Sequence, residues 1–202
     1  MLLLAVPALS QEFSAELARQ KPQNLATTKV FVSGDKVRFE VSGPKSAYSI
    51  INTAQRTSTM VLTDSKSYVV SPAGHVSASY PLFHIDDAEN ACQTWEKSVD
   101  SPGSCKKVGD DTVNGRSAVK YTGATENGDT GTAWVDSKLH FVIKWEGEKS
   151  AAEMKNIQEG PQDAKLFEVP SDYQKLDTAA AHKSTPKKKM VKPLPQKPAP
   201  PQ

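Results

Sequence analysis

Apolar residues recur at every second position along most of this chain. In "EFSAELARQ", Phe13, Ala15 and Leu17 fall on one side. "TKVFVSGDKVRFEVSG" sets Val30 and Val32 before Gly34-Asp35, and Val37, Phe39 and Val41 after it, which predicts a β-hairpin. "AYSIINT", "STMVLTDSKSYVVSP" and "NGRSAVKYTGAT" continue the alternation. Asp64-Ser65-Lys66, Asn114-Gly115 and Asp136-Ser137-Lys138 supply turn residues. Gly, Ser, Thr and Asp punctuate the chain at roughly ten-residue intervals, as in an antiparallel β meander. "WVDSKLHFVIKWE" has the greasiest side: Leu139, Phe141, Ile143 and Trp145 face one way, His140, Lys144 and Glu146 the other. With Ser137-Lys138 at the tip of a turn, Trp134 is expected across from Phe141 on the apolar side.

One stretch breaks this period. In "DDAENACQTWEK", Asp86 or Asp87 is a plausible N-cap, and Ala88, Ala91 or Cys92, Trp95 and Val99 follow at helical spacing. The order is strands, one helix, then more strands. Alternating strands have one wet and one buried face, and one short helix cannot cover so long a sheet. The expected fold is therefore mainly β: a curved antiparallel sheet or half-open β-barrel with a helix over its concave face. A concave apolar face only partly covered leaves a cavity. Its candidate lining is Phe39, Val41, Ile50, Met60, Val69, Trp134, Phe141, Ile143 and Trp145, and Tyr80 and Trp95 could guard its mouth. The plainer alternative is that each of these residues packs the protein's own core.

Composition divides the chain of 202 residues into three parts. "MLLLAVPALS" (residues 1–10) resembles the end of a secretory signal, with small residues before Gln11 but no Lys or Arg before Arg19. The run is half the ~20 residues of a membrane span, and no Cys follows it for lipid attachment. Residues 11–176 form one domain. Residues 177–202 are a tail with six lysines, six prolines and, from Thr178 onward, no acidic residue. It is expected to be disordered. The whole chain carries +2, and the six tail lysines leave the rest at −4. The basic balance thus reflects a leash and gives no reason to expect nucleic acid as a partner. The tail suits an anionic envelope or lipid surface, or serves as a solvated spacer.

The two cysteines, Cys92 and Cys105, flank a short Ser/Pro/Gly-containing segment. Such a pair reads as a disulfide of an exported protein, periplasmic or otherwise outside the cytoplasm, worth about 3 kcal/mol for this loop. Metal binding is not expected, because His75, His84, His140 and His182 are scattered. Catalysis and cofactor use are not expected either. "SPGSC" lacks the G-x-S-x-G elbow, and the acids of "IDDAEN" suit helix capping. "VSGDK" and "ENGDTG" lack the alternating oxygen ligands of a calcium loop, and no phosphate loop opens a helix.

Several motifs together resemble the periplasmic lipoprotein-localisation factor superfamily of lipoprotein carriers and acceptors, in particular its uncharacterised exported branch. They are "VFVSGDKVRFEVSG", "VNGRSAVKYTG", "GTAWVDSKLHFVIKWEG" and the closing "LFEVPSDY", with Leu166, Phe167, Glu168, Val169, Pro170 and Tyr173. The resemblance covers roughly residues 11–176. It implies a half-open antiparallel barrel plugged by helices, with a cavity that holds lipoprotein acyl chains. It also implies a lid arginine, for which Arg38 and Arg56 qualify only as strand arginines. The expected function is that of an envelope protein binding a lipid or lipidated partner through its acyl chains. The alternative is a non-catalytic interaction protein with a filled core, tethered by its tail.

Overall fold

The structure is a computed structural model and describes residues 11–21, 27–41, 46–72, 84–98, 103–124, 128 and 130–177. The expectations for residues 1–10, Tyr80, Val99 and the tail from Thr178 lie outside the described residues.

The first strands are β1 (Glu12–Lys21), β2 (Thr28–Ser33), β3 (Lys36–Val41), β4 (Ala47–Asn52), β5 (Thr57–Leu62) and β6 (Ser67–Pro72). A 3₁₀ turn (Ala88–Asn90) leads into helix α1 (Ala91–Ser98). Then follow β7 (Ser104–Val113), β8 (Arg116–Ala124), β9 (Thr130–Asp136), β10 (Phe141–Gly147) and β11 (Ala151–Glu159). A second 3₁₀ turn (Ala164–Phe167) precedes the short β12 (Gln174–Lys175). All twelve strands join one curved, open sheet in the order β12-β6-β5-β4-β3-β2-β1-β11-β10-β9-β8-β7. Two meanders thus meet along the antiparallel pair β1–β11. The sheet does not close, so of the two expected forms the curved open sheet is the one observed.

The predicted hairpin forms as read. Gly34 adopts φ +54 in the turn, and Val32 stands opposite Val37 and Val30 opposite Phe39. This same face holds the main core. Phe13, Leu17, Val30, Val119, Ile143 and Met154 are all buried in one cluster. Each such side chain contributes about 1.5–3 kcal/mol on leaving water. Phe13 meets Phe141 edge-on, with ring centroids 5.4 Å apart.

Helix α1 lies over the β7–β10 part of this core. Asp87, not Asp86, caps its entry, accepting from the Glu89 amide at 2.9 Å and from Asn90 Nδ2 at 2.5 Å. The Tyr121 hydroxyl donates to the Ala88 carbonyl at 2.6 Å and accepts from the Ala91 amide at 3.3 Å. Cys92 and Cys105 form a disulfide, with Cα atoms 5.5 Å apart, that ties the helix to β7.

The register corrects one expectation. Trp134 pairs with Lys144 and Lys120, while Phe141 pairs with Asp136. The cause is a turn of four residues, 137–140, followed by a bulge between Val142 and Lys144. The bulge shifts the pairing register, which two-residue counting from a Ser137-Lys138 tip cannot foresee. Trp134 therefore lies on the face opposite Trp145. It is buried there beneath the Lys144 and Lys120 ammonium groups, 4.4 and 5.1 Å from its ring centre, and its Nε1 donates to Asp111 at 2.8 Å.

Candidate functional site

The sheet changes its dry side within the first meander, between β3 and β4. In β4–β6 the buried cluster is Tyr48, Ile50 and Val61, with Tyr68, Val169 and Tyr173 packed against it. These strand residues pair Tyr48–Val61–Tyr68 across β4, β5 and β6. Val37 on the core face pairs with Ile51, so Ile50 and Tyr48 must point to the opposite face.

The closing stretch "LFEVPSDY" covers that opposite face. Arg38 Nη1 donates to the Leu166 carbonyl at 2.7 Å, and its Nη2 meets Glu40 at 2.6 Å. The guanidinium lies 3.6 Å from the centre of the Tyr48 ring. Burial pushes the Tyr48 phenol above its usual value, against the pull of Arg38. β12 then pairs in parallel with β6, and Lys66 meets Asp172 at 2.8 Å. Arg38 thus anchors the C-terminal stretch of the domain, and Arg56 sits in an exposed turn at φ 50.

The core face meanwhile continues across β3–β6 without that cover. One cross-strand row runs Ala15–Val30–Phe39–Ser49–Met60–Val69. Ala15 and Val30 are buried, Phe39 and Val69 are half-buried, and Met60 is 51% exposed. Rows on either side add Val37, Ile51 and Ser58, then Val41, Ala47 and Leu62. Ile51 and Leu62 are half-buried. The residues that this face takes from β3–β6 include no ionisable side chain, while Lys36, Arg38 and Glu40 all point to the other side. An ordinary solvated sheet face carries charge. This one is uncharged and half exposed.

The structure therefore brings Phe39, Met60 and Val69 together in one row. Val41 occupies the matching backbone position on β3, and its side chain lies outside the described residues. Phe141, Ile143 and Trp145 belong to the buried core of the other half. Ile50 and Trp134 are on the reverse side, under the C-terminal stretch and under lysines.

A separate cleft of about 120 Å³ opens between Trp95, Cys105, Tyr121 and Trp145. Its floor is a row of glycines in register, Gly123–Gly131–Gly147, beside Cys105. A Cβ on Gly123 would come within 2.5 Å of the Ser104 carbonyl, so only glycine fits there. The sequence held this signal in "YTG", "DTGTAW" and "KWEG", but the glycines meet only once the register is known. The cleft is smaller than the ~150 Å³ cavity that admits a benzene ring. A wider depression of about 430 Å³, lined by Glu89, Asp110, Asp111 and Thr112, is polar and shallow.

Asp136 organises the tip of the β9–β10 turn. It is buried, accepts from the amides of Lys138 and Leu139 at 2.9 and 2.8 Å, and pairs with Arg116. Hydrogen bonding to Asp136, and next to Glu159, holds the Arg116 guanidinium above its usual value. Among the described residues no group of metal-binding side chains clusters, and no helix is long and apolar enough to cross a membrane.

No family model matches this chain, and no curated protein matches it. Solved structures do. An uncharacterized conserved protein from Thermus thermophilus aligns at 14% identity and TM-score 0.54, over 83% of this chain and 91% of that one. MucB aligns at 13% identity and TM-score 0.50, over 81% of this chain and 59% of its own. PNGF-II aligns at 10% and TM-score 0.50, over 86% of this chain and 32% of its own. The chain thus spans about three-fifths of MucB and a third of PNGF-II. At such identities the likeness establishes the shared fold.

Proposed function

We propose that this protein is a non-catalytic, exported binding module of the lipoprotein-localisation superfamily type, and that its β3–β6 strip receives an apolar guest. The observation that carries this reading is the uncharged, half-exposed continuation of the core face around Phe39, Ile51, Met60 and Val69. Contiguous exposed apolar surface on a soluble domain is characteristic of interaction sites. The order of sequence motifs and the open curved sheet support the superfamily. The disulfide suits an oxidising compartment.

Size favours a protein segment as the guest. The glycine-floored cleft, at about 120 Å³, is too small for an acyl chain. A chain laid on an open strip stays half wet and forfeits part of the ~0.8 kcal/mol per methylene that full burial provides. An amphipathic segment covers the strip with its apolar side and keeps its polar side in water. A lipidated partner is the second reading, favoured by the absence of charge along the whole strip.

Native mass spectrometry of protein isolated from its own envelope, followed by lipid extraction, separates these readings. A stoichiometric polypeptide adduct supports the first, and an extractable lipid supports the second. Either adduct is expected to vanish in Met60→Lys while folding stability stays within about 0.5 kcal/mol of wild type, as for a surface substitution. An adduct that survives Met60→Lys unchanged would rule out the strip as the binding site.

A further inference from the structure

β7 ends the sheet, with no strand beyond it among the described residues. It is long for an edge strand, running Ser104–Val113. Edge strands are normally blunted by charge and bulges, and β7 has both. Its register against β8 slips between Lys107 and Gly109, leaving Val108 extra and 55% exposed. The charges, however, follow an unusual order. "KKVGDD" places Lys106 and Lys107 before the bulge and Asp110 and Asp111 after it.

We infer that the β7 edge pairs antiparallel with the β7 edge of a second copy of this chain, about a two-fold axis between Val108 and Gly109. In that register Lys106 stands opposite Asp111, and Lys107 opposite Asp110. The reciprocal pairs repeat by symmetry. The faces agree as well. Lys107 and Asp110 pair with Tyr121 and Val119 on the core face, whereas Lys106 and Asp111 pair with Thr122 and Ala118 on the reverse face. It is the bulge that brings each lysine and its matching aspartate to a common face. Without it, Lys107 and Asp110 would point to opposite sides.

Val108 would lie opposite Gly109 of the second copy. The space where a Gly109 side chain would sit has nothing within 4 Å, so it can admit the isopropyl group. The charged groups are already held along the edge. Lys107 pairs with Glu89, and Asp111 accepts from Trp134 Nε1 at 2.8 Å. A foreign apolar strand would strip water from these charges without adding a partner, while a second copy sets an opposite charge against each of them. The same residues that repel other edges thus select their own. This inference concerns the edge and is independent of the guest on β3–β6.

The test is sedimentation of the full chain at about 100 μM in low salt. Wild type is expected at twice the monomer mass, returning toward monomer at about 0.5 M salt as the exposed pairs are screened. K106D/K107D and D110K/D111K are each expected to be monomers, because like charges then face each other. Mixed in equal amounts, they should form a heterodimer. Circular dichroism confirms folding of each variant. Should a double variant fail to fold, K106D mixed with D111K applies the same logic. A wild type that stays monomeric, variants that still self-associate, or a mixture that does not associate would overturn the proposal.

Discussion

The two halves of this sheet solve one problem in opposite ways. The half built from β7–β11, with β1 and β2, buries its core face, in part under helix α1, and its reverse face carries Lys120, Lys144 and Asp111 around the buried Trp134. The β3–β6 half buries its reverse face under the closing stretch and leaves the core face half open. The side chains explain the switch. On β4–β6 the reverse face has the bulkier set, Tyr48, Ile50, Val61 and Tyr68, and the core face alternates Ile51, Met60 and Val69 with small serines. Bulk sets where the core forms, and the remaining uncharged strip becomes available for binding.

This comparison predicts unequal responses to mutation. Phe13→Ala, at the centre of the packed half, is expected to cost about 3–5 kcal/mol in chemical denaturation. A loss below about 1 kcal/mol, the scale of a surface site, would mean that this half is not the packed one. Replacing Cys92 and Cys105 together by Ser frees helix α1 from β7 and is expected to cost about 3 kcal/mol. The loss should appear mainly as faster hydrogen exchange in α1, β7 and β8, with β4–β6 unchanged.

Arg38→Met tests the other half. It removes a charge-assisted bond to the Leu166 carbonyl, of a kind worth about 1.5–3 kcal/mol, together with the contact over Tyr48. Residues 164–175 should then become sensitive to protease while the packed half keeps its exchange protection. The smallest effect concerns pH. His84 stacks on His140 with ring centres 6.3 Å apart. Burial holds its imidazole below the usual value, Asp86 opposes this, and His140 adds to it. A lowered folded value means the contribution is fully present above about pH 6.5 and is lost as pH falls through the folded pKa. The melting temperature should fall across that range, and His84→Gln should flatten the change.

Much of this fold was legible because period-two alternation and turn residues are local signals. The Gly34-Asp35 hairpin, the Asp87-capped helix and the Cys92–Cys105 pair needed only near neighbours. The change of dry side was not legible. Ile50 and Ile51 are equally apolar in sequence, and the bulk beside Ile50 becomes a core only with the cover from Leu166 to Tyr173, more than a hundred residues later. Trp134 misled for a related reason: the bulge beside its partner Lys144 turns Trp145 to the opposite face. Of the candidate lining, Phe39, Met60 and Val69 meet in one row because their strands are consecutive and unbulged. The glycine-floored cleft could be seen only once three separate strands were set in register.

Under the proposed function, the core face of β3–β6 takes the guest and the reverse face does not. Site-specific photocrosslinking in intact cells reads this directly, with a benzophenone side chain at Met60 and, separately, at Val70, which lies on the reverse face of β6. A discrete adduct is expected from position 60 and none from position 70. Adducts from position 70 alone, or from neither position, would contradict the assignment of the binding strip.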